Sequence, residues 1–476
     1  METTSPVSVR FALPKGRFLG PTSELLHTGG VAFDEYTSKT RQYRLTSSRF
    51  GYLSAKILQE KDISVHVSVG NYDIGICGVD WVRELKSRYP ATSLVEVSPL
   101  RYKEGSVYLA ASAYSDLLTA ESVAGATRTL NIASEYPNIT TRLAVEMRLR
   151  KFRVFPVWGA ADAYPPESAD LVVMWARNER DLIAQGLVPL RKLFDVNAVL
   201  VANAESLSRK NMSEVLGCFE GLLGSPAERS FEAGEPVEQP PSATLTEWQS
   251  REIRMAVPDG HQKTPATELL ARAALDIPGY AGRTSERRLF GAPEWLSVKV
   301  IRPQDMPLQV ASGHFDIAIT GQDWLTEQLY AFPGSPVTQL VDLGFGKVRV
   351  VAALSEDIPV DTTEELRDYV ASGRLRPLKV ASEYTNIADK YLRDNHIGYY
   401  RVMPTYGASE AFLPDDADLL VDNTQTGKTL VENRLKIIEV ILRSSACLVA
   451  NVESLKDDSK REKIEKLSAL LAGAVE

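Results

Sequence analysis

The chain has 476 residues, 44% of them hydrophobic and 24% charged, a length and balance suited to several globular domains and not to a single core. A formal net charge of -8 argues against nucleic acid as a partner, because binding the phosphate backbone rests on a basic surface. Three cysteines without CxxC spacing argue against a disulfide framework or a zinc site. Without an apolar run long enough for a signal peptide or a bilayer span, a reducing, cytoplasmic setting with no membrane partner is expected.

In chain order, the first half alternates short β-rich runs with helical patterns. VRFAL precedes a helix near SELLHTG; IGICG precedes WVRELKSR; TLNIA precedes TTRLAVEMRLRKF; DLVVMW and VLVAN follow, with a closing helix. This alternation predicts an α/β unit with mainly parallel sheets and helices on both faces. The same landmarks then recur. FALPKGR, ending at Arg17, returns as MAVPDGH, ending at His261; YDIGICGVDW returns as FDIAITGQDW; NIASEYPNIT as KVASEYTNIA; VANAESL as VANVESL. The offset stays at roughly 243 to 248 residues, the signature of a duplicated whole domain. The expected copies are 1–224 and 249–476. A Pro-, Glu-, Ser- and Ala-rich linker, 225–248, joins them.

Ligands in such sheets bind beyond the carboxyl ends of the strands. There the second copy has ADLLVDNTQTGKTLVENRL, an apolar strand running into Asp422 and then a hydroxyl-rich turn, Thr424, Gln425, Thr426, Gly427, Lys428 and Thr429. Gly427 permits close backbone approach, hydroxyls and N–H groups donate to anionic oxygens, and Asp422 is suited to accept from vicinal sugar hydroxyls. The turn also fits an ordinary N-capped helix with Thr426 as cap. The first copy reads ADLVVMWARNERDL, with no TxTG and with Met174 and Trp175 at positions expected to hold Asn and Thr.

These residues resemble the ATP phosphoribosyltransferase family, whose signature is an acidic strand end followed by a TxTGxTL loop. LPKGR, the stretch Arg302 to Met306, DIxITGxDW, the YPNIT-like turn and the GxxE of Gly407 to Glu410 add to the likeness. The resemblance implies a two-lobed, periplasmic-binding-protein-like (type II) unit in each copy. It implies transfer of the phosphoribosyl group of 5-phosphoribosyl 1-diphosphate (PRPP) to N1 of the adenine of ATP, with Mg²⁺ carried by the diphosphate, and a homo-oligomer. The family's C-terminal regulatory domain is not expected after Glu476. Asp422, Thr424 to Thr429 and Glu410 are expected to bind PRPP, Arg302 to stabilise pyrophosphate, and Asp323, Arg283 and Arg288 to contact the nucleotide. Glu135 and Glu383 stand where many members carry a lysine.

The motifs have decayed in a complementary way. LPKGR is intact only in the first copy, at Lys15, Gly16 and Arg17, while Arg302 of the second copy aligns with Gln59. A composite catalytic site is therefore expected, with Lys15 and Arg17 reaching the second copy's loop. Two other readings stay open: a different nitrogen-heterocycle acceptor, and a non-catalytic ligand-binding paralogue.

Overall fold

The inner strands are near-continuous apolar runs, as expected for strands covered on both faces. VRFALP and its repeat IRMAVP are buried along almost their whole length and end at a proline that stops the ladder. The computed structural model describes residues 8–220 and 251–475, apart from 32, 34, 38–42, 283–286 and 292. The expected linker and Arg283 lie outside the described residues.

The first copy contains β1 (Val9–Pro14), β2 (Arg44–Thr46), β3 (Leu53–Leu58), β4 (Ile74–Gly78), β5 (Leu94–Ser112), β6 (Leu130–Ser134), β7 (Phe152–Pro156), β8 (Leu171–Ala176) and β9 (Leu187–Asn203). They form one sheet in the order β2-β3-β1-β4-β9-β5-β8-β6-β7. The long strands β5 and β9 pair along most of their length, bordering β4 at one end and β8 at the other, so they tie two lobes together. The second copy repeats the plan with β10 (Ile253–Pro258), β11 (Arg288–Phe290), β12 (Leu296–Ile301), β13 (Ile317–Gly321), β14 (Val337–Asp342), β15 (Val348–Ser355), β16 (Leu378–Ser382), β17 (Tyr400–Pro404), β18 (Leu419–Thr424), β19 (Leu435–Ser444) and β20 (Ala446–Asn451). Here the connecting strands are interrupted, which separates the lobes into sheets β11-β12-β10-β13-β20-β14 and β17-β16-β18-β15-β19.

The architecture is the expected α/β, two-lobed duplication, with mixed pairing. Strands at the heart of each lobe are parallel, and those returning through the connection between lobes are antiparallel. A strand that re-enters the first lobe after the second has been built must run against its neighbours.

The two copies pack crosswise. Phe412, Leu413, Leu420 and Leu435, from the second lobe of the second copy, belong to the same apolar cluster as Phe11, Ile57, Val67 and Ile76 of the first lobe of the first copy. Reciprocally, Tyr164, Val172 and Met174 cluster with Ile301, Met306 and Phe315. Each contact carries buried ion pairs. Lys56 meets Asp415 at 2.8 Å and Asp416 at 3.1 Å, and the Tyr72 hydroxyl donates to Asp416 at 2.6 Å. At the mirror position, Glu167 holds Arg288 at 2.6 Å and also Lys299, whose side chain is 1% exposed. Burial works to raise the Glu167 carboxyl, but Lys299 and Arg288 outweigh it and hold it below its ordinary value. Burial pulls Lys299 down to about 8 in spite of Glu167.

Removing one partner of such a pair strands the other charge in the interior. Glu167→Ala should therefore cost about 3–5 kcal/mol of unfolding free energy, read from urea denaturation. A loss below about 1 kcal/mol, the range of exposed pairs, would show that this contact does not hold the copies together.

Candidate functional site

The second copy's loop begins where β18 leaves the sheet. Asp422 lies opposite Val351 and Thr424 opposite Arg349 in the β15 ladder. Gly427 has φ +79°, a left-handed backbone that β-branched residues rarely adopt, and it caps a helix of one turn, Lys428–Glu432. The Thr424 hydroxyl accepts from the Gly427 amide at 3.0 Å, and the Thr426 hydroxyl from the Lys428 amide at 3.3 Å. The threonines thus do cap the turn. Because those oxygens act as acceptors, their O–H groups are left to donate outward, toward an anion. Gln425, Thr426, Lys428 and Thr429 are exposed, with Lys428 loosely paired to Glu432 at 3.9 Å. The helix is too short for its dipole to matter much, so hydroxyls and loop amides must do the holding.

A cation that the sequence reading passed over completes this rim. The Nη2 atom of Arg349 lies 3.8 Å from where a Cβ on Gly427 would stand, and this guanidinium makes no hydrogen bond or ion pair among the described residues. The first copy has Ser106 at the equivalent ladder position.

Ladder register also corrects the alignment of the first copy's loop. Val173 pairs with Ser134 as Val421 pairs with Ser382. Met174 therefore replaces Asp422 and Trp175 replaces Asn423, one position earlier than the sequence suggested. Trp175 lies against Arg17, whose guanidinium carbon sits 4.9 Å from the ring centroid. Arg17 donates to Glu60 at 3.0 Å and to Asp80 at 2.7 Å. Burial works to lower its pKa, and the two carboxylates overcome this and raise it. Arg17 is thus held within the first copy, in the cleft that has lost its loop.

Lys15 points the other way. Its Nζ donates to the Tyr43 hydroxyl at 3.3 Å, and that phenol bonds Glu410 of the second copy. Burial, then Glu410, pushes the Tyr43 pKa up. Gly407, with φ +97°, makes room here: a Cβ on it would stand 3.2 Å from Gln59 Nε2 and 3.5 Å from Glu383 Oε1. First-copy Lys15, Tyr43 and Gln59 thus border second-copy Glu383, Gly407 and Glu410. A pocket of about 620 Å³ opens beside them, lined in part by Lys15, Gly16, Ser23 and Gln59.

The mirror junction is closed by its own charges. Asp259 replaces Lys15, Arg287 replaces Tyr43, and Arg287 is clamped between Asp162 at 2.7 Å and Asp259 at 3.1 Å. Arg302 belongs to this junction. Its Nε lies 3.4 Å from a Cβ position on Gly159 and its Nη1 3.6 Å from that on Gly260, and it faces Glu135, Asp305 and Asp259. The crossed packing carries it to the first copy's GxxD turn, and Glu410 and Asp323 are the charges that bear on Asp422. Arg288, expected at the nucleotide, is committed to Glu167. Asp323 accepts from Tyr384 at 2.6 Å and Ser444 at 2.9 Å, which clasps the two lobes of the second copy.

Lys61 is a further residue that the sequence reading missed. Its Nζ lies 3.7 Å from the Tyr406 ring centroid and 5.5 Å from that of Trp158, between the two junctions. Burial lowers its pKa, against Glu135, Asp62 and Glu383. Only the SEY repeat around Glu135 and Glu383 hinted at this centre, and the pairing of copies that creates it is not written in either half.

Comparison with known proteins identifies the family. The ATP phosphoribosyltransferase family model matches residues 59–221 and 302–473. An ATP phosphoribosyltransferase of Chlorobium phaeovibrioides is 34% identical over 233 residues, covering 48% of this chain and 72% of that protein. One from Koribacter versatilis is 32% identical over 230 residues, covering 47% and 73%. A chain of the ATP phosphoribosyl transferase (HisG:HisZ) complex from Thermotoga maritima is 23% identical, covering 47% of this chain and 98% of that one at a TM-score of 0.38. With the family model spanning well over half of it, the chain belongs to the ATP phosphoribosyltransferase family.

Proposed function

We propose that this chain transfers the 5-phosphoribosyl group from PRPP to N1 of the adenine of ATP, releasing pyrophosphate, in one working cleft per chain. The observation that carries this reading is the contrast between two loops on one scaffold. The second copy has an open turn with Arg349 at its rim, while the first has Trp175 packed on Arg17. In the working cleft, the Thr424, Thr426 and Thr429 hydroxyls and the Gln425 side chain take the 5-phosphate, Gly427 leaves room for its close approach, and Arg349 supplies the counter-charge. Asp422 takes the ribose hydroxyls. Lys15 comes across from the first copy to the diphosphate side, where among the described residues its Nζ is tied to Tyr43 by a long bond to the hydroxyl and a contact with the ring. Mg²⁺ enters chelated by the diphosphate, as part of the substrate. No helix among the described residues is long and apolar enough to cross a membrane.

The reaction is tested by incubating the purified chain with PRPP, Mg²⁺ and ATP and following pyrophosphate and a new nucleotide. Both should appear, and release of pyrophosphate only with other heterocycles would transfer the assignment to a different acceptor. Gly427→Val and Arg349→Ala should each weaken PRPP binding at least tenfold, about 1.4 kcal/mol, in titration calorimetry, with the melting temperature little changed. Unaltered binding in both would remove the loop from the site. A charged hydrogen bond to a substrate phosphate is worth roughly 1.5–3 kcal/mol. Lys15→Ala should therefore lower kcat/KM at least tenfold, and a change under about threefold would leave the cleft to the second copy alone.

A further inference from the structure

Resting on that reaction, we propose that Glu383 is the proton acceptor of the transfer, taking a proton from the exocyclic amine of the adenine as N1 attacks the anomeric carbon.

Ser382 at the end of β16 pairs with Val421 of β18, so the next residues, Glu383 and Asp422, emerge side by side at the carboxyl ends of adjacent strands. Asp422 fixes the ribose end of the site in the proposed reaction, which puts Glu383 beside the anomeric carbon's surroundings. The half-buried Glu383 carboxylate makes no hydrogen bond among the described residues, and Gly407 adds no side chain of its own to the space beside Oε1, which Gln59 Nε2 also borders. The duplicate supplies an internal control. Glu135 occupies the same place in the first copy, yet its neighbour is Met174, and it faces the cations Lys61, Arg17 and Arg302. Glu383 faces Asp422 from β18, Lys61 and Asp62 from the helix Glu60–Ser68, and Glu410 from the turn Ser409–Phe412. Glu135 too has carboxyl neighbours, Asp162 and Asp305, but a glutamate and an aspartate emerging from adjacent strand ends occur only beside the TQTGKT loop of the second copy.

The chemistry calls for such a group. The N1 lone pair forms the bond to the anomeric carbon, and the bond from that carbon to the diphosphate oxygen breaks, its electron pair leaving with pyrophosphate. Alkylation at N1 places a positive charge on the adenine and acidifies the exocyclic amine. One of its protons passes to the Glu383 carboxylate and then to water, and the base leaves as the neutral imine. Burial, then Asp422, pushes the Glu383 carboxyl up to about 8, and burial raises Asp422 to about 7. Both carboxyls are driven up because burial and each other's charge disfavour ionisation of the two together. Lys61 pulls Glu383 back toward ionisation, and it comes from the first copy.

Because the forward reaction needs Glu383 ionised and the reverse needs it protonated, forward kcat/KM should rise with pH through about 8 while kcat/KM from phosphoribosyl-ATP and pyrophosphate falls over the same interval. Glu383→Gln should lower forward kcat at pH 9 by about 10²-fold or more, the usual scale for a lost acid–base group. It should also abolish the rise near 8 and leave PRPP affinity within threefold. Glu383→Asp should restore part of the rate and the pH dependence, which separates the proposal from a folding defect. Unaltered kcat and pH profile in Glu383→Gln would overturn the inference while leaving the proposed function intact. So would a tenfold loss of PRPP affinity with the rise near 8 retained, which would make Glu383 a donor-binding residue. Absence of phosphoribosyl-ATP from the unaltered chain at every pH would overturn the proposed function and the inference together.

Discussion

The crossed seating of the two copies, each first lobe against the other copy's second lobe, is the constraint on which the rest depends. It is held by apolar clusters that run through both copies and by buried charges, Lys56 with Asp415 and Asp416 on one side, Lys299 and Arg288 with Glu167 on the other. Well-packed apolar residues of similar volume often serve a fold as well as buried ion pairs do, so these pairs do not add much stability by their presence. What they do is fix register. A lysine with a side chain 1% exposed tolerates only the arrangement that brings a carboxylate to it.

Once seated this way, neither cleft belongs to one copy. Tyr43 of the first copy, which accepts from Lys15, reaches Glu410 of the second, and Arg302 of the second lies against Gly159 of the first. Divergence could then proceed site by site. At one junction the phosphate loop, the acid pair of Asp422 and Glu383, and a lightly tethered lysine remain. At the other, Trp175 fills the loop position and Asp162 and Asp259 neutralise Arg287, so the cation is spent on the protein itself. Lys61 lies between the two, on Tyr406 and near Trp158, within reach of carboxylates from both.

Much of this was legible in the sequence. Short apolar runs alternating with helical patterns, and landmarks repeated at one offset, specify two α/β units, and TQTGKT after an acidic strand end marks the loop, because those patterns are local. What the sequence could not show is anything decided by the pairing of distant strands. Arg349 matters only because the ladder sets it opposite Thr424, and Met174 is seen to replace Asp422 only through the pairing of Ser134 with Val173. Arg302 is attractive beside a phosphate loop in one dimension, and the crossing takes it to the opposite junction. Arg17, intact in its motif, is drawn off by Glu60 and Asp80, whereas Lys15 two residues earlier points across the interface. Complementary decay was the sequence's one indication that the two copies border common junctions.

The claim that one cleft works and its twin has closed is tested most directly by the stoichiometry of donor binding. Titration calorimetry of the full chain with PRPP and Mg²⁺ should give one site per polypeptide, weakened at least tenfold in Gly427→Val. Two sites of comparable affinity per polypeptide, or one site whose affinity is unaltered in Gly427→Val, would contradict it.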